Sequence, residues 1–327
     1  MDAMPRFDLP PEQLHVYRPD VAEPADFDTF WQRTLAESRA VANAPVLTRI
    51  ESPLSVFDVY DLRFSGYAGD EVRGWFVVPA GATGPLPTVV EYNGYGGGRG
   101  LPHERLAWAA AGYAWAFMDT RGQGSGWGTP GATPDPHGAG PAHPGFMTRG
   151  IEDPEAYYYR RVFTDAALLI DAVRTLDVVD SDRVAVVGGS QGGGIALAAA
   201  GLSAGLVGAM PDVPFLCHFE RAVGLTDRDP YDEIVRYLSV HRDAVAQTFT
   251  TLSYFDGVNF ARRATAPGLF SVALMDPICP PSTVYAAANH YGAAVEVVEY
   301  AFNEHEGGQG IQWQRQAAWL AERLSRG

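Results

Sequence analysis

The sequence predicts an α/β protein in which a mainly parallel sheet is covered by helices on both faces. Short apolar runs, typical of buried strands, alternate at least four times with segments of helical periodicity. Continuous apolar runs are typical of parallel strands, which are buried on both sides. No internal repeat or interdomain linker divides the 327 residues. We therefore expect one domain over residues 1–327.

Four segments are predicted to add to this alternating core. Residues 1–43 contain one helical pattern between Pro/Asp-rich stretches and predict an N-terminal helical extension. Residues 55–80 alternate with a period of two around "SGYAGDE", which is typical of a β-hairpin. Residues 215–260 predict a helical insertion with aromatic patches. Residues 128–147 are so rich in Gly and Pro that they predict a functional or assembly loop.

Composition argues against several classes of partner. The net charge of −15 and the pI of about 4.9 disfavour nucleic acids and anionic membranes. No run of about 18 apolar residues is present, and no signal peptide is evident at the start. Cys217 and Cys279 could pair, but the simpler interpretation is two free thiols in a reducing compartment. No Cys/His cluster has the spacing of a zinc site, so no metal is expected.

One serine lies at the junction of a predicted strand and a predicted helix. Residues 188–192 read Gly-Gly-Ser-Gln-Gly, which places Ser190 in the G-x-S-x-G pattern of a nucleophile elbow. Glycines suit such a turn because side chains there would clash with neighbouring elements. The N-terminus of the following helix would favour developing negative charge. The alternative is a glycine-rich phosphate-binding turn, although the lysine of a P-loop is missing.

The same pattern occurs a second time and serves as a control. Residues 201–205 also match G-x-S-x-G around Ser203. They follow a helical segment and precede no helix start, which is typical of a helix C-terminus closed by glycine. Ser190 is therefore the candidate nucleophile.

A serine nucleophile needs a base and an acid that orients the base. In elbow-type enzymes the chain order is Ser, then Asp or Glu, then His. Asp276 directly follows an apolar segment predicted to be a strand and is the candidate acid. The alternative is a cap for the helix that starts near Pro280, and the two roles can coexist. His305 follows the next strand and is the candidate base, the alternative being an ordinary surface-loop histidine. The other histidines after Ser190 are predicted to lie in a packed segment or in helices: His218, His241 and His290.

An oxyanion hole needs two N–H donors. One would come from Gln191, directly after the nucleophile, and the other from an early loop at a strand end. The glycine-rich loop 91–100 fits the second requirement, and Tyr95 lies between two of its glycines. The alternative is a mobile glycine turn with no such role.

The motifs together resemble those of one family of esterases. "GYGGGRGLPHERLAWAAAGYAWAFMDTRGQGSGW", "GGSQGGG", "LMDPICPPSTVYAAANHY" and "NEHEGG" are similar to segments of the acetyl xylan esterase / cephalosporin C deacetylase family, carbohydrate esterase family 7. The resemblance covers nearly the whole chain. Its hallmark motifs are Arg121-Gly122-Gln123, the five residues around Ser190, and His305-Glu306.

The resemblance implies an α/β-hydrolase fold without metal or cofactor. It implies Ser190 as nucleophile, Asp276 as orienting acid and His305 as base, with oxyanion donors at the backbone of Tyr95 and Gln191. It further implies the hydrolysis of small acetyl esters, such as acetylated xylo-oligosaccharides or cephalosporin C-like compounds. A cytoplasmic homohexamer with residues 128–147 between subunits is also implied.

Several assignments are left with alternatives. Trp127, Phe215 and Ile278 would flank the serine as a small apolar acyl pocket, or else pack in the core. Arg121 and Asp119 are expected to brace loops through charge-assisted hydrogen bonds. Gly96 stands where the resemblance leads us to expect asparagine, which puts the substrate range in doubt.

Three rival functions are compatible with the same sequence. A serine peptidase or a long-chain lipase could be built on this fold, but no access-limiting domain or broad apolar groove is visible. A non-catalytic hydrolase-like protein is the third possibility, since fold alone does not prove activity.

Overall fold

A computed structural model describes residues 7–128, 130–138 and 140–326, and its central feature is a nine-stranded sheet. The strands are β1 (Val46–Arg49), β2 (Phe57–Ser65), β3 (Glu71–Pro79), β4 (Leu86–Tyr92), β5 (Ala114–Met118), β6 (Val179–Gly189), β7 (Gly208–Asp212), β8 (Gly268–Ala273) and β9 (Val295–Tyr300). The helices are α1 (Pro11–Leu14), α2 (Phe27–Ala40), α3 (Ala107–Ala110), α4 (Tyr158–Arg174), α5 (Gln191–Leu202), α6 (Phe219–Leu225), α7 (Asp232–Val240), α8 (Val245–Ser253), α9 (Gly257–Ala261), α10 (Pro281–Asn289) and α11 (Gln309–Arg326).

The sheet is antiparallel at one edge and parallel over the rest. The strand order is β1-β2-β3-β5-β4-β6-β7-β8-β9, and every neighbouring pair from β5 to β9 is parallel. The predicted hairpin is β2 and β3, paired in register from Phe57 with Pro79 to Ser65 with Glu71. The mainly parallel sheet is thus confirmed. Strand β1 was not predicted, because it is a short, largely exposed edge strand without a buried pattern.

Alternate residues of the central strands face two separate layers of core. In β6, Val184 and Val186 pack with the side of the sheet covered by α4 and α5. Ala185 and Val187 face the opposite side of the sheet. Trp108 of α3 and Trp319 and Leu320 of α11 cover that side. A strand buried on both faces must be apolar at every position, which explains the continuous run in the sequence.

Several elements lie outside the alternating core of strands and helices. Helices α1 and α2 make up the helical part of the N-terminal extension, and α6 to α9 lie between β7 and β8 as the helical insertion. The described part of segment 128–147 contains no helix or strand, and residues 129 and 139 lie outside the described residues. No helix in the described ranges is both long and apolar enough to cross a membrane.

The parallel arrangement brings three loops to one edge of the sheet. The chain leaves β6 at Ser190, leaves β8 shortly before Asp276 and leaves β9 shortly before His305. In a parallel sheet the carboxyl ends of such strands meet, and ligands bind there. The topology therefore gathers the candidate residues, although Ser190 and His305 lie 115 positions apart in the sequence.

Candidate active site

Ser190 occupies a strained turn between β6 and α5. Its backbone angles are φ 56° and ψ −121°, a conformation that residues with a side chain rarely adopt. Its N–H donates to the carbonyl of Asp212 at 3.0 Å, and its carbonyl accepts from the N–H of Phe215 at 2.9 Å. The end of β7 and the segment after it therefore hold the turn in place.

The two glycines of the motif are required by close backbone packing. A Cβ at Gly188 would lie 2.3 Å from the carbonyl oxygen of Gly192, and a Cβ at Gly192 would lie 2.2 Å from that of Tyr92. Real Cβ atoms do not approach that closely, so any side chain would open the turn. The steric reason expected from the sequence thus applies at both positions.

The three candidate residues form one continuous chain of hydrogen bonds. His305 Nε2 lies 2.8 Å from Ser190 Oγ, and His305 Nδ1 lies 2.8 Å from Asp276 Oδ2. Asp276 is fully buried, whereas the His305 side chain keeps 26% of its surface exposed. A buried carboxylate on one ring nitrogen and a hydroxyl on the other is the arrangement that activates a serine.

The second oxygen of Asp276 is also engaged. Oδ1 accepts from the N–H groups of Ile278 at 2.8 Å and Cys279 at 2.9 Å, so the carboxylate caps the turn before α10 as well as binding His305. Both roles considered for Asp276 from the sequence coexist. Cys217 and Cys279 are free and buried, and burial raises the pKa of the Cys279 thiol well above its usual range.

One group in the described ranges has the composition of a possible metal site. The ligand atoms of Asp276, Cys279 and His305 lie within 4.8 Å of one another. The carboxylate and the imidazole of this group are already joined to each other, and the imidazole to Ser190. A thiol with a raised pKa is a weak ligand because metals bind the thiolate. The donor set therefore fits the hydrogen-bonded triad better than a cation.

The two expected oxyanion donors lie on either side of Ser190 in the structure: one directly follows it in the chain, and the other lines the same cavity. Gln191 begins α5, so its N–H lies in the first turn of a helix, and Tyr95 lines the cavity beside Ser190. Neither N–H donates a hydrogen bond to another described residue. Both groups are available to an incoming oxygen.

Gln123 joins the two halves of this region, a role that sequence reasoning missed. Its Oε1 accepts from the N–H of Gly96 at 2.7 Å, and its Nε2 donates to the side-chain oxygen of Gln191 at 2.8 Å. Tyr159 donates to the same Gln191 oxygen at 2.9 Å. The third residue of the Arg121-Gly122-Gln123 motif thus fixes the Tyr95 loop relative to the elbow.

Glu233 of α7 holds the Tyr95 side chain and was also missed. The Tyr95 hydroxyl donates to Glu233 Oε1 at 2.6 Å and accepts from the N–H of Phe146 at 2.6 Å. The other carboxylate oxygen accepts from the N–H of Met147 at 3.0 Å. Burial raises the pKa of Glu233. Only the tertiary structure brings α7 to this loop, so no local signal marks Glu233.

Arg121 and Asp119 brace the loops, as the sequence indicated. The fully buried Arg121 guanidinium contacts Asp165 at 2.6 and 2.8 Å and Asp70 at 2.8 Å. Asp119 accepts from the N–H groups of Arg99 at 2.9 Å and Thr133 at 2.7 Å. The pair therefore ties part of segment 128–147 to the sheet.

The triad opens into a cavity of about 500 Å³. Trp127 and Ile278 line it. Phe215 does not line it: the side chain is fully buried one layer behind, with its ring 4.2 Å from that of Tyr231 and 6.3 Å from that of Tyr95. Phe215 supports the wall of the cavity, which matches the core-packing alternative for this residue.

Asp212 is a second acid at the cavity and was not singled out from the sequence. It pairs with Gly189 across β6 and β7, and its Oδ2 accepts from Gln316 at 2.8 Å. Burial raises the pKa of Asp212 to about 7, and the polar side chains of Ser271, Gln316 and Gln312 only partly offset this effect. This carboxyl group therefore titrates near neutrality.

The second motif serine and the other histidines after Ser190 lie at the ends of helices. Ser203 directly follows α5 and is buried. His218 precedes α6, and His241 and His290 directly follow α7 and α10.

Comparison with known proteins decides the family. The family model described as "Acetyl xylan esterase (AXE1)" matches residues 4–323. The chain belongs to the acetyl xylan esterase (AXE1) family. Its fold is the α/β-hydrolase fold that the resemblance implied.

Three relatives of this AXE1 protein illustrate the similarity. An acetyl xylan esterase from Paenibacillus sp. R4 is 40% identical, with a TM-score of 0.91 over 96% of this chain and 99% of that one. Acetyl xylan esterase 1 from Thermoanaerobacterium sp. JW/SL YS485 is 33% identical, with a TM-score of 0.89 over 97% and 99%. Acetyl esterase Axe7A from Xylanibacter ruminicola is 28% identical over 88% of this chain. The match spans 65% of that relative's own length.

Replacing Gln123 by Met should lower kcat while KM stays within about 2-fold. The Gly96 N–H and the Gln191 amide would lose their common partner, and a misaligned oxyanion donor acts on the transition state. Since complete loss of one donor costs about 10²- to 10³-fold, we expect a decrease of about 10- to 100-fold in acetate release. Asn259→Leu, at a fully buried amide in α9, controls for lost stability. An equal fall in kcat in Gln123→Met and Asn259→Leu would contradict the role of Gln123.

Asp212→Asn should stabilise the protein more at pH 8 than at pH 5. The folded-state pKa of about 7 lies above the usual 3.8, so this group's contribution to stability is full below pH 3.8 and is lost as the pH rises through 7. Asparagine has no such dependence. The difference in Tm between variant and wild type should therefore rise with pH, equivalent to a few kcal/mol at most. For the control Asp227→Asn, at an exposed carboxylate, the difference in Tm from wild type should not change with pH. A difference in Tm that is independent of pH for Asp212→Asn would refute the raised pKa of Asp212.

Proposed function

We propose that this chain is a serine esterase that removes acetyl groups from small acetylated carbohydrates through an acetyl-enzyme intermediate. The observation that carries the proposal is the chain of two 2.8 Å contacts from Ser190 through His305 to Asp276. The acetyl xylan esterases that resemble it over nearly their full length support the choice of acetyl esters.

In the acylation step, His305 Nε2 takes the proton of Ser190 as Oγ attacks the acetyl carbonyl carbon. Negative charge then develops on the carbonyl oxygen, where the N–H groups of Tyr95 and Gln191 would stabilise it. The buried Asp276 carboxylate stabilises the imidazolium and keeps the ring oriented. When the C–O bond to the alcohol breaks, His305 returns the proton to the leaving oxygen.

Deacylation repeats these steps with water. His305 removes a proton from a water molecule as it attacks the acetyl-serine carbonyl, and the same two N–H groups would hold the second oxyanion. Collapse releases acetate and returns the proton to Ser190 Oγ. Because Ser190 is held by its strained backbone, the nucleophile needs no rearrangement between the two halves of the reaction.

The family resemblance supports the choice of substrates, the location and the assembly that we propose. Acetylated xylo-oligosaccharides are the first substrates to be tested, and cephalosporin C-like acetyl esters the second. We also propose a cytoplasmic homohexamer in which segment 128–147 lies between subunits. Neither nucleic acid nor membrane is proposed as a partner, given the net charge of −15.

Ser190→Ala should abolish acetate release from p-nitrophenyl acetate, with a loss of at least about 10³-fold. Ser203→Ala is the matched control, since this residue occupies the second G-x-S-x-G pattern and should leave turnover unchanged. Labelling by a phosphonate probe should modify the peptide that carries Ser190. Unchanged turnover in Ser190→Ala, or labelling of a different serine, would contradict the proposal.

The same assay separates the rival functions. Esters of increasing acyl length should be hydrolysed more slowly than acetate, whereas a lipase would favour octanoate. A peptidase would cleave a peptide anilide of comparable size.

A further inference from the structure

Trp127 combines high exposure with a fixed position. It is 52% exposed, more than any other described tryptophan, yet it lines the cavity that contains Ser190. Its indole N–H donates to the carbonyl of Tyr95 at 2.7 Å. Exposure of a large apolar side chain to water costs free energy. A ligand that covers the indole would recover this free energy.

One side of the indole lies against a loop made of glycines. A Cβ at Gly97 would lie 2.5 Å from Trp127 Cζ2, and a Cβ at Gly94 would lie 3.5 Å from the same atom. A Cβ at Gly96 would lie 3.7 Å from Cδ1. The loop therefore covers part of the ring through bare backbone, and the exposed half is left for the cavity.

This packing also accounts for the unusual Gly96. Its φ is +79°, which side-chain residues rarely adopt, and its N–H is bound by Gln123. The absence of a side chain keeps the space beside the indole open. Gly96 therefore leaves more room next to Trp127, at the point where the sequence departs from the expected pattern.

The charges of the cavity disfavour an anionic ligand. The carboxylic acids that line it, apart from the triad, are Asp212, Asp229 and Glu306, and no arginine is among the described lining residues. An anionic ring would be repelled by this lining. A ring with an apolar face and neutral hydroxyl groups would not.

We propose that the open face of Trp127 is a platform on which the pyranose ring of the substrate's alcohol half stacks. The inference rests on the proposed function, because the acetyl group must reach Ser190 while the sugar lies on the indole. The C–H groups of a pyranose face are apolar and pack on an aromatic face, and the hydroxyl groups at the ring edge remain solvated. Trp127 would then select the alcohol and not the acyl group, unlike its expected role in an acyl pocket.

The test compares two acetyl esters that differ in the ring. One is a mono-acetylated methyl β-xylopyranoside, and the other is ethyl acetate, which has no ring to stack. Trp127→Leu should lower the ratio of their kcat/KM values by about 3- to 10-fold, and Trp127→Phe by less. Both variants should also lower each activity, because the indole N–H no longer holds the Tyr95 carbonyl; the ratio removes this common effect.

Glu233→Gln is the matched control for a loosened loop. It weakens the support of Tyr95 from the other side and touches no part of the indole, so both activities should fall by the same factor. An unchanged ratio in Trp127→Leu would overturn the platform. Phenyl acetate is a third substrate. If Trp127→Leu lowers the kcat/KM ratio of phenyl acetate to ethyl acetate but not that of the xyloside to ethyl acetate, the indole face binds flat aromatic rings and the proposal is wrong. Failure of the wild type on all the esters would refute the proposed function instead.

Binding without turnover gives an independent readout. In a Ser190→Ala background, addition of the acetylated xyloside should shift the tryptophan fluorescence, because Trp127 is exposed and becomes covered. The shift should disappear in Ser190→Ala/Trp127→Phe. A shift of equal size in both proteins would contradict stacking on Trp127.

Discussion

The left-handed backbone of Ser190 is the constraint on which the site depends. A non-glycine residue in such a conformation costs about 1–3 kcal/mol and persists only where the surroundings over-determine it. Here the carbonyl of Asp212, the N–H of Phe215 and the close backbone contact between Gly188 and Gly192 fix the turn. The strain projects Oγ from the sheet edge toward His305 and leaves the N–H of Gln191 free at the start of α5.

The surroundings of the elbow form two linked layers. The first layer is the triad, which parallel strand ends bring together. The second consists of Gln123 and Glu233, which hold the Tyr95 loop through its backbone and its hydroxyl respectively. Arg121 and Asp119 fix the chain on which Gln123 lies. The hallmark motif after β5 therefore has both a structural residue, Arg121, and a residue that positions the oxyanion region.

The sequence predicted the triad because its signals are local. Ser190 directly follows β6, and Asp276 and His305 lie a few residues after β8 and β9. The parallel topology then brings these strand ends to one edge of the sheet. The roles of Glu233, Gln123 and Asp212 were not predicted from the sequence because they depend on contacts between distant segments. The sequence leaves two roles open for Phe215 because an aromatic residue near the elbow can line a cavity or pack in the core, and only the packing against Tyr231 separates the two. Strand β1 was not predicted because an exposed edge strand lacks the alternating or continuous apolar pattern of a buried strand.

The most direct test of the account is a crystal structure of the protein treated with a phosphonate ester that mimics the tetrahedral intermediate. We expect a covalent bond to Ser190 Oγ and a phosphonyl oxygen about 2.7–3.1 Å from the backbone nitrogens of both Tyr95 and Gln191. Attachment to another residue would contradict the assignment of the nucleophile. An oxygen that points away from either nitrogen would contradict the assignment of the oxyanion donors, because the loop held by Gln123 and Glu233 would then have no part in stabilising the transition state.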